Sequence, residues 1–109
     1  MSFDDHVRAA LDSLPAHLAG ALENVAVVVE DENAEDPDIF GLYQGVPLPE
    51  RGIGYSGALP DRITIYRLPL EETFRDPDEL EHEIRVTVLH ELGHYFGMDE
   101  DKLAELGYG

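Results

Sequence analysis

The chain has 109 residues, no cysteine and a formal net charge of −17, from 24 acidic against 7 basic side chains. This length builds one core, so a single domain over residues 1–109 is expected, and without thiols neither a disulfide framework nor a thiolate metal site can form. Such acidity excludes nucleic acid, which needs basic patches, and disfavours anionic membranes, and no apolar run reaches the roughly 18 residues of a membrane span.

A positively charged peptide or partner would instead be attracted. Met1-Ser2-Phe3-Asp4-Asp5 carries neither a basic region nor an apolar secretion segment, so the cytoplasm is the expected location.

Phe3, Val7, Ala10, Leu11 and Leu14 recur at helical spacing. Pro15 breaks that helix, and Ala16 to Leu22 continues it. His6 and His17 are expected at the surface. Val25 to Val29 is a β-branched run fit for a buried strand. Asp31 to Asp38 is acidic, contains Pro37 and reads as a loop. Tyr43 to Leu48 reads as a second strand, weakened by Pro47. Gly52-Ile53-Gly54-Tyr55-Ser56-Gly57 lacks the strand-to-helix setting of a phosphate-binding loop. Arg62 to Arg67 alternates polar and apolar residues and is the clearest strand.

Asp76-Pro77-Asp78-Glu79 is a helix start, with a capping Asp, Pro at the first helical position and acids facing the positive end of the dipole. The helix should run from Pro77 to Phe96, about 30 Å, and stop at Gly97 in a left-handed turn. Its second half is apolar on most sides and therefore buried. One polar stripe crosses it, formed by Glu83, Thr87, His90 and His94, with Glu91 at its edge.

That stripe carries His90-Glu91-Leu92-Gly93-His94, followed by Gly97, the pattern H-E-x-x-H-x-x-G. On a helix His90 and His94 lie one turn apart, about 40° from each other around the axis. Two imidazoles so placed can hold one metal ion, and Glu91 can reach a water beside it as a general base. Gly93 allows a close approach between the histidines. A catalytic zinc takes three protein ligands and keeps one position open. In H-E-x-x-H-x-x-G-x-x-H enzymes the third ligand falls three residues past the glycine, which here is Glu100. Asp101 and Asp99 remain alternatives, since any of the three acids could instead cap the short helix expected from Asp101 to Leu106.

The segment from His90 to Asp101, the ending Glu105-Leu106-Gly107-Tyr108, and the upstream blocks Gly41 to Leu48 and Leu59 to Arg67 resemble the small bacterial zincin-like metallopeptidase family. The resemblance covers roughly residues 35–109. It implies an α+β minimal zincin fold, with a small mixed sheet of three or four strands packed on the long motif helix behind N-terminal helices. It also implies Zn²⁺ as cofactor, a peptide or protein as substrate, and kinship with the Asp-zincins. Many members carry Asp where this chain has Glu100.

The mechanism expected from this is metal-assisted peptide hydrolysis. With Zn²⁺ held by His90, His94 and Glu100, Glu91 takes a proton from the attacking water and delivers it to the leaving amine. Tyr108, Tyr95 and Arg62 are candidates, by residue type alone, for a second oxyanion donor. In a zincin an edge strand above the cleft pairs with an extended substrate. Gly52 to Ser56, or Tyr43 to Leu48, would form it here. No lower subdomain closes the cleft, so the site should be shallow, and a partner protein that completes it is one expectation. The alternative is a non-catalytic zinc-binding module or pseudo-peptidase acting as a partner-binding or regulatory protein.

Overall fold

The computed structural model describes residues 2–46 and 61–107. They form an α+β fold: helices α1 (Phe3–Asp12) and α2 (Ala16–Ala19), a 3₁₀ turn (Gly20–Asn24), strands β1 (Val25–Glu30), β2 (Gly41–Gln44) and β3 (Asp61–Tyr66), and helices α3 (Arg67–Thr73), α4 (Pro77–Tyr95) and α5 (Glu100–Glu105). Among the described residues the sheet is three-stranded and mixed. β3 lies at its centre, parallel to β1 and antiparallel to β2.

Each boundary has a local cause. Ser2 caps α1 through a reciprocal box, its hydroxyl accepting from the Asp5 amide at 3.2 Å while the Asp5 carboxylate accepts from the Ser2 amide at 3.0 Å. The Ser2 amide first, and the Ser2 hydroxyl after it, hold the Asp5 carboxyl below its ordinary range. Asp76 caps α4 by accepting from the Glu79 amide, with Pro77 in the first turn. β2 ends at Gly45, whose φ of 153° suits a residue without a Cβ. The expected second strand therefore starts two residues earlier and stops sooner, and Pro47 and Leu48 lie outside the described residues.

Helix α3 was not expected from the residue pattern. In its first turn Arg67 pairs with Glu71 one turn on and with Asp31 of the loop at 2.9 Å, and the Leu68 amide donates to the Asp31 carbonyl at 2.9 Å. Pro69 sits in the first turn, where its missing amide costs nothing.

The core lies between the sheet, α1 and α4. Phe3, Val7 and Ala10 of α1 pack with Leu80, Ile84, Val88 and Leu92 of α4 against Ile63 and Ile65 of β3. His6 belongs to this contact and corrects the expectation of a surface position. It is 7% exposed, with Nδ1 3.0 Å from Glu81 Oε2 on α4. The helical period brings it beside Phe3 and Ala10, and Glu81 satisfies the ring. The side chain of His17 is outside the described ones. Among the described residues no helix is long and apolar enough to cross a membrane.

Candidate metal centre

The site is built around the last turns of α4. Phe96 caps the helix, Gly97 follows at φ 86°, and the chain reverses through two hydrogen bonds, Gly97 amide to His94 carbonyl and Met98 amide to Gly93 carbonyl, each 2.9 Å. This is a Schellman stop, which only a residue tolerant of positive φ can make. The turn leaves the Met98 carbonyl 3.2 Å from His94 Nδ1. An Nδ1–H donating to that carbonyl directs the lone pair of His94 outward at Nε2.

Asp99 then caps α5, accepting from the Lys102 amide at 2.9 Å. The helix starts at Glu100, one residue earlier than expected. Leu103, fully buried, lies against Gly93, where a Cβ would run into its Cδ2. The close approach at Gly93 is therefore the docking of α5. It carries Glu100 over the histidines.

There Glu100 Oε1 stands 3.0 Å from His94 Nε2 and 3.4 Å from His90 Nε2, and the two Nε2 atoms are 3.2 Å apart. Donor atoms in a tetrahedral zinc site, with bonds of about 2.0–2.1 Å, are separated by about 3.3 Å. The triangle thus has the dimensions of one face of such a site. Two imidazole nitrogens and a carboxylate oxygen converging at this range repel one another unless a cation or a proton lies among them. The donor set fits zinc. Asp99 is committed to its cap, and Asp101 is exposed and touches neither histidine. The imidazoles are not buried, as the apolar surroundings of the motif implied, but half-exposed, with side-chain exposures of 23% for His90 and 28% for His94.

Glu91 is the deeply placed member, 6% exposed. Its carboxylate lies within 4.8 Å of the imidazole nitrogens, so it too is within reach of an ion. Glu100 is nearer, and Glu91 Oε1 is engaged elsewhere, accepting from the Tyr43 amide of β2 at 3.1 Å. Burial raises the Glu91 carboxyl above the ordinary range, an effect opposed by the two histidines and by the Tyr43 amide and aided by the nearby Glu100 charge. β2 comes this close because residue 41 is glycine: a Cβ there would stand 2.7 Å from Thr87 Cγ2 and 3.3 Å from Glu91 Cγ. Neither the Tyr43 amide nor the Met98 carbonyl was foreseen from the sequence. A backbone group has no residue-type signature, and the first contact spans 48 positions.

A scan against protein families matches residues 22–109 to the zincin-like metallopeptidases. The chain belongs to that family. Comparison with curated proteins finds no match. Of the oxyanion candidates, this zincin-like chain keeps Tyr95 in the core, edge-to-face with Tyr43. Arg62 is exposed and bonded to Gln44, on the face of the sheet turned away from α4. Tyr108 and the Gly52 to Ser56 segment lie outside the described residues. β2 is an edge strand of the described sheet, consistent with the expectation for its first half.

Proposed function

We propose that the chain is a zinc-dependent peptidase in which His90, His94 and Glu100 hold the ion and Glu91 is the general base. The observation that carries this reading is the openness of the site on one side among the described residues. Structural zinc sites are closed by protein ligands, whereas catalytic ones keep a position free. Here His90 and Glu91 line a cleft of about 340 Å³.

When bound, zinc supplies Lewis acidity, bringing the ionisation of a water toward neutral pH and polarising a carbonyl. The chain's own groups do the rest. The Met98 carbonyl holds the His94 ring in one tautomer. The Tyr43 amide fixes one carboxylate oxygen of Glu91 and leaves the other to take the proton of the attacking water. Burial makes Glu91 a stronger base than an exposed carboxylate, so it can hold that proton and then deliver it to the leaving nitrogen. β2, an edge strand among the described residues, would offer an extended peptide its outer main-chain groups other than the Tyr43 amide, which Glu91 occupies.

The test is metal content by mass spectrometry together with cleavage of a peptide library by wild type and Glu91→Gln. Zinc in both proteins with cleavage by wild type alone is the expected result. Cleavage that survives in Glu91→Gln would refute the mechanism. Zinc without cleavage in either would return the chain to the non-catalytic class.

A further inference from the structure

The cleft beside the site has a composition of its own. It runs along α4 from His90 and Glu91 back to Glu83, and its opposite wall is the approach to β2, including Asp38 and Phe40. Glu83, Thr87 and His90 follow at helical spacing, so the two ends of the cleft are separated by two turns, about 10 Å. At one end stand the proposed base and metal ligand. Toward the other lie Glu83, half-buried, and Asp38, exposed, neither of which has an ion-pair partner among the described residues. Between them the wall is apolar, from Phe40 on one side and Val86 on the other. Phe40 is fixed edge-to-face on Phe74 at a centroid distance of 5.5 Å. Among the described residues no lysine or arginine lines the cleft, and the volume is that of a small-molecule pocket.

An apolar trough ending in unpaired carboxylates suits a side chain with an aliphatic stem and a cationic head. We infer that this cleft is a specificity pocket for an arginine or lysine side chain next to the bond to be cleaved, with Glu83 and Asp38 as the residues that read the charge. The inference rests on the peptidase reading for its purpose and adds the substrate class. The surplus of 24 acidic over 7 basic side chains acts in the same direction, drawing cationic peptides toward the surface. A neutral side chain of the same length would fill the trough and leave both carboxylates unanswered.

Binding decides the matter without turnover. Short peptides carrying arginine, lysine, citrulline or norleucine at each position in turn are titrated calorimetrically against zinc-loaded Glu91→Gln protein at low salt. At one position arginine and lysine should bind about tenfold more tightly than citrulline and norleucine. Asp38→Asn/Glu83→Gln, added to the same background, should bring arginine and citrulline to within about twofold of each other. Equal binding of arginine and citrulline at every position overturns the inference, as does a preference that survives the double substitution, and as does the absence of any binding. Wild-type cleavage of the same peptides separates the two readings. Cleavage with no basic preference removes the pocket alone. A basic preference in binding without cleavage removes the peptidase and leaves the pocket.

Discussion

The two flanks of α4 contribute to one site by opposite routes. On the α5 flank, Gly97 turns the chain, Met98 orients His94, Asp99 caps and Glu100 closes the triangle, all within a few residues of the histidines. On the β2 flank, Glu91 is held by the amide of a strand 48 positions earlier, which reaches it only because Gly41 lets the strand settle on Thr87. The first flank is local geometry and holds the proposed metal ligands. The second is tertiary packing and holds the proposed base. Binding and catalysis should therefore be separable by substitutions on one flank or the other.

The widest separation is expected from Glu91→Gln. The amide can still accept from the Tyr43 N–H, and the nearer ligands are untouched, so zinc affinity by chelator competition should change by no more than a few-fold. Removing a general base costs typically about 10²–10⁴-fold in rate, and peptide cleavage should fall by that amount. A parallel loss of zinc would make Glu91 a ligand and end the division of labour between the flanks.

Gly93→Ala probes the other flank. The new Cβ meets Leu103, so α5 must shift and Glu100 with it. Disturbing the support of a metal ligand typically costs about 10–100-fold in affinity, and that loss is expected here by zinc titration. Alanine is otherwise the better helix former by about 1 kcal/mol. Unchanged zinc affinity would mean that Glu100 does not depend on α5 docking.

This asymmetry also explains what could be read in advance. The H-E-x-x-H spacing, the start at Asp76-Pro77 and the stop at Gly97 are each decided within one or two helical turns, so α4 and two of the three proposed ligands were legible. Glu100 was legible as a spacing but not as a choice over Asp99 and Asp101, because capping and coordination draw on the same carboxylates. In the folded chain Asp99 caps α5 while Glu100 stands over the histidines. β3 was visible from its alternation, whereas α3 was not, its ties to Asp31 spanning 36 positions. His6 was misplaced for the same reason: its partner Glu81 lies 75 residues away. That Glu83 and Asp38 line one cleft is likewise a product of packing, not of pattern.

Gly41→Ala should act on the β2 flank alone and more weakly. A Cβ 2.7 Å from Thr87 Cγ2 overpacks the contact, at a cost of about 1–3 kcal/mol in stability. The strand would lift and the Tyr43 amide would move off Glu91. Cleavage should drop about tenfold while zinc affinity stays within about twofold. Equal losses in both would show that the strand supports the whole site and not the base.

The smallest effect expected is on stability, and its sign follows from burial. In the metal-free protein the Glu91 carboxyl is raised above the ordinary glutamate value of about 4.3. A group raised on folding binds its proton more tightly in the native state, so its contribution to stability is complete below the unfolded value and is lost as pH rises through the folded one. Metal-free wild type should therefore lose stability relative to Glu91→Gln as pH climbs from the ordinary glutamate range toward neutrality, measured by denaturant midpoints of the two proteins across that window. Zinc should narrow the gap, because a divalent cation beside the carboxylate favours its ionised form. A gap that instead widens with rising pH in favour of wild type would place Glu91 among the groups that ionise readily on folding, and would remove the reason for regarding it as the strong base of the site.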